Sequence, residues 1–532
     1  MWFFASHQAY MARRPNWLGL WAWLLTLGTV LAIDDAVDPS PPTGAARATL
    51  LPNEDDFYKP PVGFEKYPVG SILRSRPTPN SITLNNIDAI RVKEAWQLLY
   101  RTQNSVEEPT ATVVTVIVPY RAKPDHLFSY SYFSDAAFNG CNPSVTLQIG
   151  AREDNVWNQV QNAILVQALV MGYYVSVADF EGTQAAFGSG LQAAYATLDS
   201  IRAVKQSGNV TGINKNPITT LHGYSSGAQA VGWTTEMHPV YAPELEIAGA
   251  AFGGLVPNIS ALFDQTSYEK GERAFLSPPT MLGLSHDYKN LSNYLDENLI
   301  PATAAAYRMG DQRCVDGNKN FTNTDMGQYW KKGYAASIHS PLVQSVAFAT
   351  GVQGLRSTPK IPWYIYHAAA DDVSPQNLTD QLYDIHCKNG ANILYEKNPL
   401  PLNHRSECVA GLAGAYRWMA DRHEGRPIVP GCSTVAITNE SIRGTVRGML
   451  VQGLISNMWA YLGWEVGPDW NWWDDLKGIL SNPGGEPIAK GKTAFLNGQR
   501  VDEKKTNSWW PSPRKVQEAD GRVRVVSGVL GR

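Results

Sequence analysis

Short runs of β-branched and aromatic residues alternate along much of this chain with longer segments whose apolar positions recur at three- and four-residue spacing. The runs Thr112–Val118, His126–Phe133, Tyr173–Ala178, Ile218–His222, Ala248–Phe252, Trp363–His367 and Asn392–Glu396 predict strands. The helix-like segments are Asn155–Met171, Gly190–Gln206, Ser226–Glu236, Pro375–Cys387 and Ser406–Glu424. Strands and helices taken in turn predict an α/β fold: a mixed, mostly parallel sheet with helices on both faces.

The alternation has limits that suggest domain boundaries. Residues 33–81 are rich in Pro and Asp with little periodicity, which predicts an extended arm over the surface of a catalytic unit spanning 82–435. Within that unit, at about 257–340, regular alternation gives way to a mixed amphipathic and polar segment, the place for a cap or lid inserted over a site. The tail 436–532 carries Trp470, Trp472, Trp473, Trp509 and Trp510; only a helix around Thr445–Leu462 is legible in it, and it suggests no function.

At 532 residues the chain can bury a substantial core, and its 45 basic against 48 acidic residues leave no electrostatic footprint for nucleic acid. Near the start, Arg13-Arg14 precede an apolar run from Trp17 to Ala32 and then an acidic, Pro-rich stretch, so 1–32 reads as a signal peptide and the product as secreted. Retention of that run would instead tether the chain to a membrane. Sequons at Asn209, Asn258, Asn290, Asn320, Asn377 and Asn439 agree with export and possible glycosylation. Five cysteines leave at least one thiol over. Sequence does not dictate their pairing; Cys141 with Cys314 and Cys387 with Cys432 is the expectation, and no metal-ligand spacing exists among them.

Chemistry enters with Gly223-Tyr224-Ser225-Ser226-Gly227, directly after a strand run and before a helical one. A nucleophile elbow needs small residues two before and two after its serine, because the tight turn brings the flanking backbone together. That spacing selects Ser225 over Ser226. A serine hydroxyl needs a histidine base, and the histidine needs a carboxylate to hold its tautomer. Downstream, Asp371 and Asp372 follow a strand run, and spacing alone does not separate them. Of the later histidines, His386 falls in a helix and His423 at a helix end, where a surface position or a dipole contact accounts for them, whereas His404 lies in the loop after the last strand run. The backbone N–H of Ser226 is a candidate oxyanion donor, and Asp135 follows an earlier strand run where a second donor belongs.

Together these segments resemble the fungal secretory lipase family, the yeast lipase A type of α/β-hydrolase. The resemblance covers roughly residues 50–435 and is carried by 134–141 (SDAAFNGC), 179–188, 194–199, 223–228, 371–375 and His404. It implies a secreted, cofactor-free lipase or carboxylesterase acting on acylglycerols or related esters through an acyl-enzyme. It favours Asp371 over Asp372 and makes Asp135 the second oxyanion contributor. Ser226 departs from the family pattern, where glycine is common after the nucleophile, and Ser374 stands in place of the usual valine. The expected partner is a lipid or small ester, with a monomer and no nucleic acid. The alternatives are a biosynthetic esterase or acyltransferase working on a secondary metabolite, and a non-catalytic lipid-binding protein of the same fold.

Overall fold

The computed structural model describes residues 49–437 and 447–468, together with two short strands, Arg514–Gln517 and Val523–Val526. The signal-like run, Asn439 and the five tail tryptophans lie outside the described residues.

Ten strands form one sheet: β1 (Ile72–Pro77), β2 (Glu94–Gln103), β3 (Pro109–Val118), β4 (His126–Ser131), β5 (Tyr174–Ala178), β6 (Ile218–Tyr224), β7 (Gly249–Gly253), β8 (Trp363–Ala368), β9 (Ile393–Asn398) and β10 (Cys432–Ala436). Their order is β1-β2-β3-β5-β4-β6-β7-β8-β9-β10. The β1–β2, β2–β3 and β3–β5 pairs are antiparallel and every pair beyond β5 is parallel, so the sheet is mixed and mostly parallel. This is the α/β-hydrolase architecture.

Side chains alternate across the parallel strands with the period of two that the pleat imposes. On one face Phe252, Trp363, Ile365, Ile393 and Tyr395 pack with residues of the helices Gly190–Gln206 and Ser226–Tyr241. On the other, Phe128, Tyr130, Ala251, Tyr364 and Tyr366 meet the helices Asn162–Val170 and Leu412–His423. Burial on both faces explains why these strands read as apolar runs. Between β7 and β8 the chain leaves the sheet and builds a helical insert from Ile259 to Thr350. Its own core includes Phe263, Leu282, Leu291, Leu295, Tyr307 and Trp330.

Several expectations are corrected. Residues 72–77, placed in the arm, are the sheet's edge strand, because Ile72 and Arg74–Pro77 find backbone partners on β2. β2 itself shows no strand pattern in sequence; its Leu98, Leu99 and Tyr100 are buried because β3 lies alongside in register from Glu94↔Val118 to Gln103↔Pro109. β10 pairs with β9 and closes the far edge. The long helix expected at 155–171 is two, Val156–Gln159 and Asn162–Val170, and that at 406–424 is split at Gly411. The helix expected around Thr445–Leu462 is present as Arg447–Tyr461, and its Asn457 Nδ2 donates to Ala163 O at 3.1 Å.

Candidate active site

Crossing from β6 into the next helix forces Ser225 into φ 56° and ψ −122°, a strained conformation for a residue with a Cβ. The turn exists because its flanks are bare. A Cβ on Gly223 would stand 2.3 Å from the carbonyl oxygen of Gly227, and one on Gly227 would stand 2.1 Å from that of Ser131 at the end of β4. The turn lifts the Ser225 hydroxyl over the carboxyl ends of the parallel strands, where open α/β sheets place their sites.

Two later segments converge there, the loop after β8 and the start of the helix His404–Ala410; His404, expected in a loop, is the first residue of that helix, whose cap is Asn403. The hydroxyl of Ser225 lies 2.9 Å from His404 Nε2, and His404 Nδ1 lies 2.7 Å from Asp371 Oδ2. All three side chains are nearly or wholly buried. The second oxygen of Asp371 accepts the backbone N–H groups of Val373 and Ser374 at 2.9 and 2.8 Å. Burial by itself would raise the carboxyl's pKa. The charge of His404 and the hydrogen bonds from His367 and His404 outweigh burial and hold it well below the usual carboxylate range. An ionised Asp371 fixes the His404 proton on Nδ1 and leaves Nε2 free to accept from Ser225.

His367, near the end of β8, enters the sequence reading only as the last residue of a strand run. Its Nε2 donates to Ser374 O at 2.9 Å and stands 3.3 Å from Asp371 Oδ2, while Thr379 Oγ1 donates to Nδ1 at 3.1 Å. Its position inside an apolar strand run hides it from pattern reading. Asp372 does not face the imidazole; its Oδ1 accepts the backbone N–H of His404 at 3.0 Å. The carbonyl of His404 accepts the Tyr224 hydroxyl at 2.6 Å. Gly254, at φ 55°, leaves the room these groups need, since a Cβ there would stand 2.8 Å from His404 Cε1.

Asp135 also has a left-handed backbone, φ 50°, and its carboxylate accepts the Ser226 hydroxyl at 2.7 Å. Burial raises its pKa against the opposing pull of Ser226 and His404. The serine at 226 thus supplies a side-chain partner to the Asp135 loop. Behind it Glu181 accepts from Ser134 Oγ at 3.0 Å, and burial drives that carboxyl well above its ordinary value.

The other candidates fall elsewhere. His386 and His423 are not on the surface. His386 Nε2 lies 3.0 Å from Glu236 Oε1, and His423 stands between His126 and Thr220, its pKa pushed down to about 3 by burial first and by His126 and Lys123 next. Helix periodicity did not expose them because each fills the buried side of its helix. Cys141 is bonded to Cys314 and Cys387 to Cys432, with Cys408 a free thiol. Asn209, Asn290, Asn320 and Asn377 are exposed, whereas Asn258 caps a helix through the Ala261 N–H at 3.0 Å.

The family model described as "Secretory lipase" matches residues 147–431. The chain belongs to the secretory lipase family. It is 33% identical over 430 residues to Lipase A of Arthroderma benhamiae, covering 80% of this chain and 91% of that protein. It is 34% identical over 448 residues to Lipase 1 of Candida albicans, covering 81% and 94%. The crystal structure of Candida antarctica lipase A in its closed state superposes with a TM-score of 0.69 at 26% identity, covering 77% of this chain and 96% of that one. This secretory lipase is therefore a carboxylic ester hydrolase of the triacylglycerol lipase kind.

Proposed function

We propose that this secretory lipase is an exported enzyme that cleaves acylglycerols or related acyl esters through a covalent acyl-serine. The supporting observation is the continuous chain from Ser225 Oγ to His404 Nε2 and from His404 Nδ1 to Asp371, at 2.9 and 2.7 Å, on a strained turn. Ser225 attacks the ester carbonyl while His404 takes its proton, and His404 returns that proton to the departing alcohol. Water then attacks the acyl-serine with His404 again as base. Asp371 keeps the imidazole in the tautomer both steps need. The backbone N–H groups of Ser226 and Asp135 receive the oxyanion.

The test compares wild type with Ser225→Ala on p-nitrophenyl esters of short and long acyl chains and on an emulsified triglyceride, using protein recovered from the culture medium. Cleavage abolished by the substitution is expected. Equal cleavage by both proteins would overturn the assignment of Ser225. Activity confined to short soluble esters would make the enzyme an esterase, and retention of the protein in the cell would overturn export.

A further inference from the structure

We propose that Arg273 and Asp372 are positioning residues for the base, forming a strut that runs from the helical insert through the acid loop to the backbone of His404. This inference rests on His404 being the base, as proposed above. Arg273 belongs to the insert, and its guanidinium pairs with Asp372 Oδ2 while its Nε donates to the Asp372 carbonyl at 3.3 Å. The other carboxylate oxygen of Asp372 receives the His404 N–H at 3.0 Å. One side chain therefore uses both oxygens to join the insert to the start of the helix His404–Ala410.

The neighbouring contacts give the strut a direction. The Tyr268 hydroxyl, also from the insert, donates to Val373 O at 3.3 Å, and Ser374 Oγ donates to Leu255 O at 2.7 Å at the end of β7. The acid loop is thus held from the insert and from the sheet. The His404 backbone is held through Asp372 on its N–H and Tyr224 on its carbonyl. Asp371 controls the proton on His404, and Asp372 controls where its ring sits. The Asp372 side chain is 42% exposed, so its ion pair contributes little to folding stability. A partly exposed pair that matters only to stability would be nearly silent. One that sets the position of a general base would show in turnover, because misplacement of reacting groups by about 1 Å costs up to about 10²-fold.

The experiment measures kcat, KM and melting temperature on p-nitrophenyl butyrate for wild type, Asp372→Ala, Asp372→Asn, Arg273→Gln, Arg273→Lys and the Arg273→Gln/Asp372→Ala pair, with Ser225→Ala alongside. Asp372→Ala is expected to lower kcat about tenfold with KM within about twofold, as loss of positioning but not of binding requires. Asp372→Asn keeps an acceptor for the His404 N–H and falls less. Arg273→Gln lowers kcat about threefold, Arg273→Lys recovers most of that, and Arg273→Gln has no further effect once Asp372 is alanine, because it acts through that residue. Melting temperatures stay within about 2 °C of wild type. If Asp372→Ala melts lower, Asp372→Asn and the Arg273 pair carry the same test. Turnover within twofold of wild type in Asp372→Ala, or an Arg273→Gln effect that persists without Asp372, overturns the strut while an inactive Ser225→Ala leaves the mechanism intact. An active Ser225→Ala would overturn the mechanism itself.

Discussion

Asp371→Asn removes one charge and almost no volume, and the geometry dictates which way the new amide must lie. The Oδ1 side of Asp371 faces two backbone donors, the N–H groups of Val373 and Ser374, at 2.9 and 2.8 Å. The Oδ2 side faces His404 Nδ1 at 2.7 Å, with His367 Nε2 at 3.3 Å. An amide keeps its oxygen toward the two backbone donors, so its NH₂ points at the imidazole. His404 must then accept at Nδ1 and carry its proton on Nε2, aimed at the Ser225 hydroxyl it should deprotonate. The reversed amide would restore the productive tautomer but oppose NH₂ to two N–H groups, at about 1–3 kcal/mol for each buried donor left unpaired. A penalty of about 2–6 kcal/mol leaves between about one molecule in 30 and one in 10⁴ correctly arranged. The fall in kcat should lie in that range, with KM little changed. Steady-state hydrolysis of p-nitrophenyl butyrate measures it, and a thermal melt checks that the fold survives. A loss smaller than tenfold, or a larger loss in Asp372→Asn than in Asp371→Asn, would refute the reasoning.

Other substitutions probe the frame around the site. Gly227→Ala drives a Cβ to 2.1 Å from Ser131 O, a clash of backbone against backbone that side-chain rotation cannot relieve; a loss of about 3 kcal/mol or more in urea unfolding is expected, and an unchanged midpoint would remove the steric argument for the elbow. Cys141→Ser with Cys314→Ser opens a loop of 173 residues, and unfolding should become easier by about 3–5 kcal/mol, read as a lower urea midpoint in the double variant. Glu407→Gln tests a carboxyl whose pKa is raised to about 8 by burial first, then by the Glu396 and Asp371 charges, against the Asn398 hydrogen bond. The folded value is raised, so the stability contributed by protonated Glu407 is complete below about pH 4.3 and is lost as pH rises through about 8. Glu407→Gln should therefore gain stability over wild type between pH 5 and pH 9, by up to about 5 kcal/mol, and a pH-independent difference in melting curves would contradict the assignment.

What could be read from sequence divides along a physical line. β4 to β8 were legible because both faces of each strand are buried and their apolar runs do not depend on a partner. β2 was not, because Glu94, Gln97 and Arg101 interrupt its pattern and it becomes a strand only by pairing with β3. β1 was missed for the same reason: Arg74-Ser75-Arg76-Pro77 is half exposed, and its strand character is a property of the pair. Within the site, Ser225 and His404 follow from chain order and turn chemistry, and the structure brings them within 2.9 Å. Asp371 and Asp372 could not be told apart by spacing, because the difference is one of direction: one carboxylate meets the imidazole and the other the backbone of the same residue. The resemblance favoured Asp371. Arg273 carries no local signal, since its partner Asp372 lies 99 residues on; Glu181 enters only within the segment 179–188; and His367, though its partners Asp371, Ser374 and Thr379 are near in sequence, is masked by the apolar strand run that holds it.

The helical insert was also legible only as a break in pattern, and its attachments to the rest of the chain are many. Cys314 is bonded to Cys141 and its N–H donates to Asp154 at 3.1 Å, while Asp316 accepts the Trp157 N–H at 2.9 Å. Asp287 accepts the Ser105 N–H at 3.1 Å, and Thr350 Oγ1 accepts the Leu191 N–H at 3.0 Å near the start of the helix Gly190–Gln206. His286 Nδ1 meets Ala185 O at 3.1 Å, and Arg273 holds the acid loop. These ties are spread from 273 to 350 and reach different segments of the core, one of them covalently. A swing of the whole insert would have to break them together, many in buried surroundings where an unpaired group costs about 1–3 kcal/mol. These ties weigh against a rigid swing of the whole insert. On the strut proposed above, movement of the 273 segment would pull on Asp372 and through it on the His404 backbone.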